Sequence, residues 1–293
     1  MKVLITGARG QLGQALMRQA PDAAQLLPCG HDEIDVTRGE SVRRVLAMEP
    51  DVIVNAAAYT AVDKAETERD VAYAVNAMGP AQMAQAACDL GCPLVHFSTD
   101  FVFDGAQGRP YTTQSTPNPL NVYGDSKLAG ERAVQAVKPD ALILRTAWLY
   151  GGAEGNFVHS MLRLMRTREE INVVDDQIGT PTAVAGLAKA VWRAIEMRLT
   201  GMHHWTDAGV ASWYDFAVAI QQTALAVGLL QRAIVVLPVP SSAYPTPALR
   251  PAFSVLDKTA TWRDLALTAP HWRTALADTL AAAAEASSER SPE

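Results

Sequence analysis

Tyr123 and Lys127 lie four residues apart, in the run Tyr123-Gly124-Asp125-Ser126-Lys127. At a helix start, residues i and i+4 share a face, so this spacing sets an ammonium beside a phenol. The ammonium favours the phenolate and lowers the phenol's pKa from about 10. Such a phenol can give a proton to the alkoxide that forms as hydride reaches a carbonyl carbon. Lys127 can also hold ribose hydroxyls. A surface Tyr and Lys would show the same spacing, so context decides. Upstream, Phe97-Ser98-Thr99-Asp100 closes an apolar run. A Thr99 hydroxyl at that strand end can hydrogen-bond the same carbonyl oxygen and stabilise its developing charge.

The hydride donor is indicated near the N-terminus. Gly7-Ala8-Arg9-Gly10-Gln11-Leu12-Gly13 places glycine at every third position, directly after Val3-Leu4-Ile5 and before a stretch of helical composition. Gly7 permits a tight turn, Gly10 lets the backbone approach a pyrophosphate, and Gly13 lets helix and sheet pack closely. Free N–H groups at the helix N-terminus favour the phosphates. In this position the turn signals a dinucleotide site and a nicotinamide cofactor. A carboxylate about 20 residues further on would take the ribose 2′-hydroxyl of NADH. Gly30 stands where that acid is sought, and Arg9 and His31 suit a 2′-phosphate. NADPH is therefore favoured. Asp32 can still bind the hydroxyl, which leaves NADH open. In Asp35-Val36 the carboxylate suits the adenine amino group, or else caps a helix, since Thr37 and Glu40 follow.

These groups need elements to hold them. Residues 2–6, 25–29, 51–58, 93–98 and 141–149 read as strands. Residues 11–19, 42–48, 71–90 and 126–137 read as helices between them. That alternation predicts an α/β fold: a Rossmann-like doubly wound parallel sheet with right-handed crossovers. Ligands then sit beyond the carboxyl ends of the strands, where the motifs above fall. After Gly151 the alternation weakens. Helices are expected at 156–168, 183–197 and 212–227, a strand-like run at 203–206, and a loop at 241–251. The expected organisation is a dinucleotide-binding domain over 1–150, with a later segment near 183–200 packing back on it. A smaller, mainly substrate-binding domain covers 151–280, and 281–293 forms a disordered tail.

The 293 residues carry a net charge of -6, with 49% hydrophobic and 19% charged side chains. A core of that size excludes wholesale disorder, and no basic stripe marks a nucleic-acid binder. No apolar run approaches the ~18 residues of a membrane span, and no signal-peptide pattern opens the chain. Cys29, Cys88 and Cys92 are odd in number and lack CxxC spacing, so they read as buried or half-buried thiols in a reducing cytoplasm. His203-His204 on a strand would point to opposite faces, a poor chelate. No metal is assigned.

Taken together, these runs resemble the dTDP-4-dehydrorhamnose reductase family of extended short-chain dehydrogenases. The resemblance extends through the runs 4–13, 51–66, 98–105, 119–131, 145–150 and 176–182, and through Tyr244-Pro245-Thr246-Pro247. It implies reduction of the 4-keto group of dTDP-4-dehydro-L-rhamnose to dTDP-L-rhamnose, with Thr99, Tyr123 and Lys127 as the catalytic set. It implies cofactor contacts from Gly7, Arg9, Gly10, Gln11, Leu12, Gly13, Asp35, Val36, Ala56, Ala57 and Ala58, with Tyr123 and Lys127. It places Val62, Asp100, Trp148 and Arg250 about the sugar nucleotide. Trp148 offers an apolar wall, or else packs in the core. Arg250 offers a fork for the diphosphate, or else is a solvated loop charge. Some family members pair through a magnesium-bridged interface. No carboxylate cluster here requires one, since Glu169-Glu170 reads as a solvated helix end; magnesium and a homodimer stay open. Two alternatives keep the same motifs: a nucleotide-sugar epimerase or dehydratase, and a non-catalytic NADP-binding regulatory subunit. A dehydratase would add an acidic pair beside Thr99, whereas Asp100 is followed by Phe101.

Overall fold

A computed structural model describes residues 1–152 and 155–288. The first half alternates as its apolar runs predict: β1 (Lys2–Thr6), α1 (Gln11–Arg18), β2 (Gln25–Cys29), α2 (Gly39–Met48), β3 (Val52–Asn55), α3 (Val62–Ala65), α4 (Arg69–Tyr73), α5 (Gly79–Leu90), β4 (Leu94–Thr99), α6 (Val122–Val137) and β5 (Leu142–Thr146). The second half is more broken: β6 (Leu149–Tyr150), α7 (Phe157–Thr167), β7 (Glu170–Val174), β8 (Ile178–Gly179), β9 (Thr182–Ala183), α8 (Val184–Glu196), β10 (Gly201–His204), β11 (Ala211–Ser212), α9 (Trp213–Ala226), β12 (Val235–Val239), α10 (Thr259–Leu265) and α11 (Trp272–Ser288).

Six parallel strands form the central sheet in the order β2-β1-β3-β4-β5-β10. The chain runs outward from β1 to β2 and then reverses to β3. The reversal opens a crevice between β1 and β3, where such sheets bind ligands. Side chains alternate across the sheet. Val3, Ile5, Val54, Val95 and Leu144 face α1 and α8, while Leu4, Ile53, Leu94 and Ile143 face α2 and α5. Both faces are covered, which is why these strands read as continuous apolar runs. The second layer of core lies in the later half, where Tyr150, Met161, Phe216, Ile220, Trp272 and Leu276 pack together.

Several elements differ from expectation for visible reasons. The run 141–149 is split because Trp148 adopts a left-handed φ of 47°, which separates β5 from β6. The run 71–90 is one helical column, but residues Ala74–Met78 form a π-turn just before Pro80, which has no N–H to bond back. The helix expected from Ser126 begins at Val122, because Asn121 caps it by accepting from the Gly124 N–H at 2.8 Å. Of the expected tail 281–293, residues 281–288 continue α11, which is anchored by buried Leu276 and Leu280, and residues 289–293 lie outside the described residues. The thiol of Cys88 is exposed rather than covered; Cys29 and Cys92 are buried, and all three are free. Among the described residues no helix is long and apolar enough to cross a membrane.

The column α4–α5 and the helix α6 touch at Gly130. A β-carbon there would stand 2.0 Å from the carbonyl oxygen of Asn76, in the π-turn. Gly130→Ala is therefore expected to cost about 1–3 kcal/mol by overpacking. Urea unfolding checks this, and an unchanged midpoint would show that the two helices can part freely.

Candidate active site

The glycine turn is built for close approach. Gly7 has φ +65°, and a β-carbon on it would lie 2.6 Å from Ala56 O and 2.7 Å from Ala57 N. The turn is thus pressed against the backbone that leaves β3. The Gly10 N–H closes the turn onto Gly7 O at 2.9 Å, and α1 starts at Gln11 with no side chain capping it. Its first N–H groups stay available for an anion. This cradle fits a dinucleotide. Leu12 is buried in the core between α1 and the sheet, and Val36 is buried against Gly79. Either could meet a cofactor only through its backbone. Gln11 accepts from Asn156 Nδ2 at 2.8 Å, which ties α1 to the later half. Ala56 and Ala57 are half-buried, and Ala58 is exposed.

At the far end of β2, Arg9 is held by two carboxylates, Asp32 at 2.7 Å and Glu33 at 2.8 Å. Glu33 also accepts from the Gly30 N–H at 2.7 Å. Glu33 was not among the expected residues; its place after the Gly30 turn is the signal that was available. Asp35 is occupied locally. Its Oδ1 accepts from the Thr37 N–H at 3.0 Å and the Thr37 hydroxyl at 2.7 Å, so it shapes the turn before α2.

Thr99 closes β4, and the 3-10 turn Asp100–Val102 follows at once. The first turn of α6 presses on this segment: a β-carbon on Gly124 would lie 2.2 Å from Phe101 O. The Tyr123 ring meets Phe101 edge-on at 5.8 Å. That contact sets the phenol beside the Thr99 hydroxyl. Asn121 holds the arrangement from the other side by donating to Leu249 O at 2.7 Å. Asn76 spans Tyr59 and α6, donating to Tyr59 O and to Ser126 Oγ at 3.0 Å each and accepting from the Tyr59 N–H at 2.9 Å. Neither asparagine was singled out in the sequence, although Asn121 sits where a helix cap is expected.

One turn on, Lys127 is 3% exposed and donates from Nζ to Phe97 O at 2.6 Å. Burial lowers its ammonium to about 8, while Glu131 works the other way. The phenol does not follow the expected direction. Burial pushes Tyr123 up to about 12, the Thr99 hydroxyl pulls it down, and Asp100 adds to the rise. Lys127 is turned to the Phe97 carbonyl, so its charge does not offset the loss of water around the ring. Tyr123 therefore holds its proton at neutral pH, the state in which a proton donor must wait. Below Lys127, three neighbouring strands carry a buried polar row: Thr6 donates to Asn55 at 2.7 Å, and Asn55 meets His96 Nδ1 at 3.2 Å. Burial holds His96 well below the usual imidazole range, with Lys127 adding to this, so the ring is neutral.

The residues expected about the sugar lie on the later half and the α3 turn. Trp148 follows the carboxyl end of β5 and stacks on Trp213 at 3.5 Å, with 4° between the rings. Its ring also packs on Gly179, where a β-carbon would stand 2.5 Å from it. One face of the indole is thus already taken by Trp213, a residue missed in the sequence. Val62 opens α3 and is half-buried. Arg250 is drawn to Asp63, with Nη1 at 3.0 Å and Nη2 at 2.8 Å from its carboxylate, and Nη1 also donates to Thr246 Oγ1 at 2.6 Å. The fork is preformed but engaged. Among the described residues, no group of three or more His, Cys, Asp or Glu is placed to hold a metal ion.

Nearly the whole chain has counterparts among known proteins. The family described as RmlD substrate binding domain matches residues 1–285. The dTDP-4-dehydrorhamnose reductase of Burkholderia thailandensis is 41% identical, over 94% of this chain and 97% of that one. The crystal structure of a dTDP-4-dehydrorhamnose reductase from Clostridium acetobutylicum has a TM-score of 0.90 at 39% identity, covering 96% of this chain and 98% of that one. The one from Bacillus anthracis, in complex with NADP, also has a TM-score of 0.90, at 38% identity, covering 95% of this chain and 98% of that one. In sequence and in fold, the chain belongs to the dTDP-4-dehydrorhamnose reductase family.

Proposed function

We propose that this protein reduces the 4-keto group of dTDP-4-dehydro-L-rhamnose to dTDP-L-rhamnose, with NADPH as the preferred reductant. The observation that carries the reading is the meeting of Thr99 and Tyr123 at the carboxyl end of β4, with Lys127 buried one helical turn behind. A bound reduced nicotinamide supplies the hydride. The protein's own residues do the rest. The first turn of α1 holds phosphates on its free N–H groups. Lys127 spends one of its three donors on Phe97 O and keeps the others for ribose hydroxyls. Tyr123 gives its phenolic proton to the substrate oxygen as charge develops there, and Thr99 steadies that oxygen. Trp148, backed by Trp213, walls the deoxysugar. Val62 and Arg250 flank the nucleotide, and Arg250 exchanges part of its hold on Asp63 for the diphosphate. The test supplies dTDP-4-keto-6-deoxyhexose with NADPH and identifies the sugar produced. Recovery of an epimer or a dehydrated sugar, with no NADPH consumed, would reject the reading.

The cofactor preference rests on Arg9. An ion pair this exposed is cheap to break, so Asp32 and Glu33 do not bar Arg9 from a 2′-phosphate. The same carboxylates can accept a 2′-hydroxyl, which keeps NADH usable. Arg9→Ala is expected to weaken NADPH binding ~10-fold and NADH binding far less, as loss of a charged phosphate contact should. Titration of the protein's fluorescence with each dinucleotide reads both constants. Equal losses for the two would remove Arg9 from any role in the choice.

A further inference from the structure

Asp100 is the buried acid nearest the phenol, and the expected contact with sugar does not account for it. It is 2% exposed, directly behind Thr99, which is itself 6% exposed. The Thr99 hydroxyl donates to Asp100 Oδ1 at 3.0 Å, and Thr99 Oγ1 accepts from the Phe101 N–H at 3.2 Å. A threonine hydroxyl has one proton and two lone pairs. With Asp100 ionised, that proton goes to Asp100 while one lone pair takes the Phe101 N–H; with Asp100 protonated, the carboxyl donates instead and the Thr99 proton is freed for the phenol oxygen or the substrate oxygen. Asp100, Thr99 and Tyr123 thus stand in order as three groups with exchangeable protons, Thr99 hydrogen-bonded to the carboxylate and neighbouring the phenol. Asp100 Oδ2 has no partner at hydrogen-bonding geometry. The Ser254 hydroxyl lies beside the carboxylate, brought in by a late segment of the chain. That segment is fixed on both sides, with Ser254 N–H donating to Ile178 O and Tyr111 N–H donating to Val255 O, each at 2.8 Å. Asp100 has no ion-pair partner among the described residues, and Tyr123 is the titratable group that feels its charge.

We propose that Asp100, steadied by Ser254, is the positioning residue that returns a proton to Tyr123 through the Thr99 hydroxyl after each reduction. This rests on Tyr123 being the donor. The protons balance as follows. The phenol O–H breaks and the product's O–H forms, leaving a phenolate. Thr99 gives its hydroxyl proton to the phenolate and takes the Asp100 carboxyl proton in the same movement. Asp100 is left ionised and recovers a proton from water when product leaves. Burial supports this role by raising the Asp100 carboxyl to about 6, against the pull of Ser254 and Thr99. A fraction is then protonated at neutral pH, and transfer from that carboxyl to a phenolate runs downhill.

The two steps separate in time. In Asp100→Asn the first turnover, followed by loss of NADPH absorbance in a stopped-flow mixer, should stay within ~2-fold of the wild type. The following turnovers should slow ~10-fold or more, because the phenolate is refilled poorly. Tyr123→Phe should instead lose the first turnover itself, so failure of that donor and failure of this relay are told apart. Equal slowing of first and later turnovers in Asp100→Asn, or no slowing of either, overturns the proposal. Infrared difference spectra of the cofactor-free protein give a readout independent of turnover. A protonated carboxyl band titrating near pH 6 should vanish in Asp100→Asn. It should move to higher pH in Ser254→Ala, where the stabilising hydroxyl is gone. A band unmoved by both variants would also sink the idea.

Discussion

Tyr123→Phe is expected to lower turnover ~100-fold or more while dinucleotide binding persists, because it removes only the proton that a general acid must supply. The ring itself stays useful. Its edge-on contact with Phe101 is apolar and survives the change. The cradle at Gly7, Ala56 and Ala57 lies on other elements. A loss of kcat with an unchanged dissociation constant for NADPH is therefore the signature to look for. Full activity in the variant would mean that the proton comes from elsewhere and that the site has been misassigned. The pH dependence has a definite sign. Tyr123 keeps its proton up to about 12, so its own titration does not set the alkaline limit. Lys127 loses its charge above about 8, and whatever that charge holds weakens there.

The second large effect is on stability. Arg145 on β5 and Glu131 on α6 make a two-pronged pair, Nε to Oε1 at 2.8 Å and Nη2 to Oε2 at 2.6 Å, with both side chains almost fully buried. The guanidinium also lies over the Phe103 ring, 5.0 Å from its centroid. Glu131 is one turn beyond Lys127, so this pair holds the catalytic helix onto the sheet. Arg145→Met leaves the Glu131 carboxylate buried without a partner, at a cost of about 3–5 kcal/mol. Replacing both residues by apolar ones of similar size should recover most of the loss. Denaturant midpoints of the single and double variants test this. A single variant as stable as the wild type would show that the carboxylate finds water, and that the pair does not fasten α6.

The sequence was most legible where one residue type answers one need. The turn at Gly7 to Gly13 could be read because glycine alone fits a backbone that presses on Ala56. Strands covered on both faces could be read because they are apolar throughout. The spacing of Tyr123 and Lys127 fixed their shared face, but not the direction in which the phenol would titrate. That depends on where Nζ points, and Phe97 O claims it. Partners distant in the chain stayed hidden. Asp63 and Arg250 are separated by 187 positions, and nothing local announces their pairing. The same holds for Trp213 against Trp148 and for Ser254 beside Asp100. The β7–β12 pair was missed although exposed Glu170 and Asn172 alternate with buried Ile171 and Val173 on β7; its partner β12 is largely exposed and carries Pro238, so it gives no such pattern.

The route of the chain through the sheet has a bearing on biosynthesis. The outermost strand beside β5 is β10, and the cover over α1 is α8, where Trp192 donates to Leu16 O at 3.0 Å. Both arrive long after the nucleotide-binding half has been made. A nascent chain halted at Tyr150 would carry a bare strand edge and an uncovered apolar flank, features that invite self-association. Alone, the first half would lack both the strand that completes its sheet and the helix that covers its flank.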